Sequence, residues 1–231
     1  MKMEHTMVFG FEPALRGMRN PKESWDRADT EFDHCEFDLR FPIELVAEAP
    51  ESPVIGKDDM KLMLSLVKAG GSHRKFLRRI MIWVDITIPR AIWQELDTYK
   101  VSTVRMSCST MFKLGSRDLT RDDFQNRDVH PIVLAELNAM GLALREKRHF
   151  VAEEEDGIKA YEGNFLLEHL KFRLPEGYLQ KATYSMSYES ALKEYMDREH
   201  HGMPCWSGSG GLCEWILGLP YMNEIVMAAK G

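Results

Sequence analysis

The sequence predicts an α/β (α+β) fold, a mixed sheet flanked by helices, built as a single domain over residues 1–231. Three segments carry that expectation. Ile80, Ile82, Val84, Ile86 and Ile88 alternate with Met81, Trp83, Asp85 and Thr87, the period of a strand with one buried face. Before it, Met60, Met63, Leu64 and Val67 recur at helical spacing across 58–68. Asp58 and Asp59 face the positive end of that helix dipole, and Gly70-Gly71 stops it. Further on, Ile132, Leu134, Leu137, Met140 and Leu144 mark one face of a long helix over 131–148.

The remaining elements follow in order. Residues 1–55 are irregular in pattern and rich in Pro, Asp and Glu. Within them Phe37, Leu39 and Phe41 alternate with Asp38 and Arg40, which predicts a short strand before Pro42. Pro89 ends the 80–88 strand and suits the first turn of a helix over 90–99. Leu119 to Phe124 reads as a capped turn, with Thr120 ahead of Asp122 and Asp123. Glu153 to Gly157 reads as a solvated acidic loop, and 163–172 as another helix. Leu174-Pro175-Glu176-Gly177 is a turn, 178–186 a strand, and Ser187 the cap of a helix over 188–198 that buries Ala191, Leu192 and Tyr195. Trp206 to Gly211 reads as a flexible loop, and 212–217 as a final apolar helix.

Composition narrows the function classes. Hydrophobic residues make up 44% and charged residues 29%, the balance of a globular domain that can bury its own core. A net charge of −6 argues against a broad nucleic-acid-binding surface, while one local pocket can still be positive. The 4 cysteines include no CxxC pair, so neither a disulfide scaffold nor a zinc site is expected. Glu4 and His5 stand where a signal peptide needs an apolar core, and no run of 18 apolar residues could span a membrane. A cytoplasmic location is the expectation.

Chemistry-bearing residues are sparse. His73, in GGSHRKFLRRI, lies at a helix-to-strand junction where it could meet a ligand ring or phosphate; by composition alone a solvated basic turn describes it better. Glu199, His200, His201 and Cys205 resemble metal ligands, but adjacent histidines on a helix point about 100° apart, so no metal is expected. The Ser-Gly-Ser-Gly-Gly run lacks both the Walker lysine and the GxGxxG spacing. Nothing near Cys108 in sequence activates it as a nucleophile.

Three stretches, about a third of the chain, resemble the flavin-dependent thymidylate synthases. IGKDDMKLMLSLVKAGGSHRKF, residues 55–76, looks like that family's helix, turn and flavin-contacting histidine, with a phenylalanine three residues on; here these are His73 and Phe76. VDITIPRAIWQELDTYKVSTVRMSCSTM, residues 84–111, is similar to the strand, proline, helix and signature loop written RHRxxSxNExSxRY. LPEGYLQKATYSMSYESALKEYMDR, residues 174–198, resembles the LP turn followed by NxRSLxxFLxxR. The departures are as specific. Arg-His-Arg becomes Thr98, Tyr99 and Lys100, and the first serine Thr103. The Asn-Glu pair becomes Arg105 and Met106, the second serine Cys108, and the closing arginine Thr110. A ligand-binding arginine becomes Glu189, while Ser190 and Arg198 match. The family's last arginine would fall around Leu217.

The resemblance implies a flavoprotein of nucleotide biosynthesis, a methyltransferase that reduces a methylene group on dUMP through a flavin hydride to give dTMP. No enzyme nucleophile is required, so no catalytic residue is assigned. It implies FAD held by His73, Tyr99 and Lys100, and nucleotide phosphate held by Thr103, Arg105, Ser190 and Arg198. It also implies a homo-oligomer with the site at a subunit interface, to which Met81, Trp83 and Trp93 would lend apolar surface. Each charged arginine–phosphate contact is worth roughly 1.5–3 kcal/mol, so the lost cations weaken ligand binding unless Lys100 and Arg105 replace them. Glu189 would repel a phosphate. The alternative is a catalytically silent descendant acting as a structural or partner-binding module, with a nucleotide enzyme of different substrate as a third reading.

Overall fold

The computed structural model describes residues 1–32 and 53–231, so Cys35 and the strand expected at Phe37, Leu39 and Phe41 lie outside the described residues. The elements run β1 (Lys2–Phe9), α1 (Phe11–Arg19), α2 (Lys57–Ala69), β2 (Met81–Pro89), α3 (Arg90–Leu96), β3 (Val104–Ser107), α4 (Thr110–Lys113) and α5 (Pro131–Arg145). They continue with β4 (Phe150–Glu154), β5 (Gly157–Tyr161), α6 (Gly163–Arg173), β6 (Leu179–Ser187), α7 (Tyr188–Arg198), α8 (Pro204–Ser207), α9 (Leu212–Leu217) and α10 (Met222–Lys230). The architecture is α/β, as expected. One sheet has the order β1-β2-β6-β3, and β4 and β5 form a separate hairpin.

β2 is the strand that the alternation predicts. Ile80, Ile82 and Ile86 are 0% exposed, Val84 and Ile88 1%, and the intervening residues are half-buried. Fully burying such side chains stabilises by about 1.5–3 kcal/mol each. The Tyr188 N–H donates to the Ile80 carbonyl and the Arg90 N–H to the Tyr178 carbonyl, so β2 and β6 run antiparallel.

The described chain forms two compact units, each assembled from separate segments. One comprises Met1–Lys2, Asp85–Thr98 and Arg105–Thr183; the other comprises Met3–Val84, Tyr99–Val104 and Tyr184–Gly231. In the first, α5 and α6 pack together around Leu137, Met140, Leu166 and Leu170, closed by Leu114, Phe124 and Leu174. The capped turn expected at 119–124 is present, with Thr120 and Asp123 forming a capping box. Three details differ from the sequence reading. Ile132, in the first turn of α5, is 72% exposed rather than part of its buried face. The acidic run is a hairpin: Glu153 pairs with Ile158 and Glu154 with Gly157, leaving a two-residue turn. Its carboxylates are tolerated because β4 is short and solvent-facing, and Glu154 accepts from Lys159 and Tyr161. Trp93 is 2% exposed and gives its indole N–H to the Gln180 carbonyl, so it supplies no surface.

The second unit contains β1 and α1, which replace the irregular start expected from sequence. β1 gave no signal because both its faces are largely exposed and His5 has a positive φ of 53°. Between the two, Gly10 has φ 100°, and a Cβ there would lie 2.2 Å from the Arg79 carbonyl oxygen. α2 packs on α1, on α10 and on the 3-10 turn Gly71–Arg79. Its N-terminus is capped from afar: Asp29 accepts from the Asp58 and Asp59 amides at 2.8 and 2.9 Å. Those amide bonds hold the Asp29 carboxyl below its ordinary pKa. Asp59, 1% exposed, pairs in turn with buried Arg19.

The segment from Trp206 to Gly211, expected to be a flexible loop, is buried at both ends and largely exposed between them. Trp206 lies in α8 at 0% exposure, and a Cβ on Gly211 would sit 2.7 Å from the Gly208 carbonyl oxygen. The Gly210 amide donates to the Glu214 carboxylate, so it is already engaged. α9 follows as expected, and α10 adds Met222, Ile225 and Val226 to the core. No helix among the described residues is long and apolar enough to cross a membrane.

Candidate functional site

The N-terminus of α7 organises the candidate site, which lies within the second unit. Ser187 caps the helix, its side chain accepting from the Ser190 amide. Ser190 Oγ donates to the Val101 carbonyl at 2.5 Å, and Thr103 Oγ1 donates to the Tyr99 carbonyl. The two hydroxyls thereby pin the 99–103 segment beside α7. At the C-terminal end of the helix, Arg198 Nε donates to the Tyr99 hydroxyl at 3.2 Å, and its guanidinium lies 4.5 Å from the Trp206 ring centroid. Lys193 and Arg198 flank the Tyr99 ring at 5.9 and 6.0 Å, and Asp197 accepts from Tyr99 and from Lys193. Burial raises the Tyr99 hydroxyl above its ordinary pKa.

The seven predicted binding residues therefore divide. Tyr99, Thr103, Ser190 and Arg198 are tied to one another in this one cluster. Lys100 is exposed beside Tyr99, and His73 is exposed at the start of the turn between α2 and β2. Arg105 belongs to the other unit, where it pairs with Asp97 at 2.8 Å and stacks on Trp93 at 4.9 Å. Glu189 is also committed: Arg74, next to His73, donates to it at 3.1 Å, with the two side chains 25% and 17% exposed. An ion pair so shielded largely cancels the repulsion that an isolated Glu189 would exert on a phosphate.

No protein-family model matches the chain, and no curated protein matches it by sequence. Its structure does match. Thymidylate synthase X from Helicobacter pylori, solved with FAD and dUMP, superposes with a TM-score of 0.64 at 14% identity, covering 100% of both chains. A second structure of the flavin-dependent thymidylate synthase from that organism, also with FAD and dUMP, gives 0.62 at 13%, covering 98% of this chain and 97% of the other. This is the ThyX fold.

Within that fold, sequence reasoning missed one group. Glu194 lies on the buried stripe of α7 at 0% exposure, and neither carboxyl oxygen has a hydrogen-bond partner among the described residues. Desolvation pushes its pKa up to about 8, against the pull of Arg198. Cys213 of α9 is buried too, its thiol raised to about 11 by desolvation and by Glu199 and Glu194. The signal was present in the sequence. In the pattern NxRSLxxFLxxR, Glu194 stands at the phenylalanine, an acid among Tyr188, Ala191, Leu192 and Tyr195. Of the residues weighed as metal ligands, Glu199 meets Lys230 and His201 Nδ1 accepts from the Met203 amide.

Proposed function

We propose that this chain is a divergent flavin-dependent thymidylate synthase-like protein, a cytoplasmic homo-oligomer that binds FAD and dUMP but methylates dUMP only weakly. One observation carries the reading: Tyr99, Thr103, Ser190 and Arg198 converge in one cluster, within a fold whose solved examples hold FAD and dUMP. The donor set fits a flavin nucleotide, since a tyrosine ring between two cations and an exposed lysine suit both a π-system and a pyrophosphate. His73, Tyr99 and Lys100 would hold FAD, which when bound supplies the hydride for the one-carbon unit. Arg198 would bind and orient the nucleotide phosphate.

The chain's own residues also account for weak turnover. A hydroxyl has one hydrogen to give, and Ser190 and Thr103 spend theirs on backbone carbonyls, so as they stand they donate nothing to a phosphate. Arg105 is held by Asp97. Where the resemblance expects an arginine, the Glu189–Arg74 pair offers no net charge. Losing even two charged contacts costs about 3–6 kcal/mol, or a hundredfold and more in affinity. Self-association is supported by exposed apolar side chains on β3 and α6: Met106 at 74%, Phe165 at 73% and Phe172 at 80%.

Purified protein should be yellow, or should take up FAD in equilibrium dialysis, and should form dTMP at a rate far below the enzyme median of roughly 10 per second. Colourless protein that binds neither FAD nor dUMP would sink this reading. The alternative, a catalytically silent structural or partner-binding module, would then stand, and the internal pairing of Glu189 with Arg74 favours it.

A further inference from the structure

The buried face of α7 holds polar groups that the proposed binding of FAD and dUMP does not use. Glu194 is fully buried with both carboxyl oxygens unpartnered among the described residues, and the indole Nε1 of Trp206 in α8 is likewise buried with no partner among them. Glu194 and Arg198 are four residues apart on one helix, the spacing at which side chains meet. Arg198 in turn stacks on Trp206 at 4.5 Å and donates to the Tyr99 hydroxyl. A carboxyl, a guanidinium, an indole and a phenol thus share a small region of one unit.

Charged groups come from each element packed on α7, and the Gly71–Arg79 turn brings Arg74, which is paired with Glu189. On α7 itself Asp197 and Arg198 act on Glu194, with Asp197 already holding Lys193 and Tyr99. From α9 comes the thiol of Cys213, which also feels Glu199. Lys230 of α10 meets Glu199 and lies 5.1 Å from the Tyr195 ring centroid. Among the described residues Arg198 is the cation that acts on Glu194, and a further charged acceptor for it would appear if Glu194 lost its proton.

We propose that Glu194 is a positioning residue for Arg198: as a neutral acid it leaves the guanidinium on Trp206 and Tyr99, where it can meet an anion, and as a carboxylate it draws the guanidinium inward. The anion-binding half rests on the proposed nucleotide site; the coupling between Glu194, Arg198 and Trp206 does not. A carboxyl kept neutral by burial at ordinary pH is a proton-sensitive element with a stated partner. Anion binding at Arg198 and proton binding at Glu194 then support each other, as linkage requires.

Two measurements test this on the full-length protein. The first is ligand-free: Trp206 emission, isolated by subtracting a Trp206→Phe variant, is followed against pH. A transition with a midpoint near 8 is expected in the unmodified protein and should vanish in Glu194→Gln. Glu194→Met, which keeps the site apolar, serves if the glutamine variant does not fold. Identical titrations in unmodified protein and variant would overturn the coupling. The second measures dUMP affinity from about pH 6.5 to about pH 9. The unmodified protein should lose about tenfold while Glu194→Gln stays level, because neutral glutamine cannot compete for Arg198. Binding that is level in both would overturn the link to anions. Absence of dUMP binding at every pH would overturn the nucleotide site instead, with the emission titration still deciding the coupling.

Discussion

Replacing Glu194 by Gln should make the protein more stable at alkaline pH and change little at acid pH. Glu194 is 0% exposed, and burial raises its pKa from 4.5 in an open chain to about 8 in the folded protein. The folded chain therefore holds a proton that the unfolded chain releases between those two values. A group with a raised folded pKa contributes fully below the unfolded value and loses that contribution as pH rises through the folded one. At about 1.4 kcal/mol per pH unit, the interval from 4.5 to about 8 develops to ~5 kcal/mol. Glutamine, which cannot ionise, escapes the loss. Urea unfolding of both proteins from about pH 5 to about pH 9 reads this directly, since the difference between them cancels shared titrations such as that of Asp29. The gap should widen with pH in favour of the variant up to about pH 8 and level off above it. Parallel profiles would refute the reasoning, because they would mean that water or a counter-ion reaches the carboxyl.

Three further outcomes follow from the packing. Ile86→Ala should cost about 2–5 kcal/mol by thermal or urea unfolding, since Ile86 is fully buried on β2; a loss under ~1 kcal/mol would mean the strand is not the anchor of its face. Gly211→Ala should destabilise by about 1–3 kcal/mol, because its Cβ would meet the Gly208 carbonyl oxygen at 2.7 Å, whereas a flexible loop would absorb it unnoticed. Ser190→Ala should lower stability by about 1–3 kcal/mol through the lost bond to the Val101 carbonyl, with dUMP affinity falling no more than stability explains. A large, selective loss of dUMP affinity would instead show the serine donating to the ligand.

Elements with a strong period were legible without coordinates. The five buried positions of 80–88, the helix over 58–68 and the capped helix over 188–198 depend on local spacing, and each lies within a residue or so of its place in the structure. β1 was not legible, because a strand exposed on both faces carries no alternation for the sequence to show. The acidic hairpin was hidden for a related reason: short solvent-facing strands tolerate the charges that normally mark a loop.

The candidate site divides along the same line. The order of the three family-like stretches, the presence of Thr98, Thr110 and Glu189 where the resemblance expects arginine, and the lack of an obvious nucleophile motif are properties of the chain as written. What each side chain does with its charge or its proton depends on neighbours far along the chain. Glu189 meets Arg74, Arg105 meets Asp97, Ser190 meets the Val101 carbonyl, and Glu194 meets no hydrogen-bonding partner among the described residues. Sequence determined which functional groups are available and on which elements. Only the tertiary structure decided which of them are already satisfied, because electrostatic and hydrogen-bond partnerships are set by distance in space and by exclusion of water.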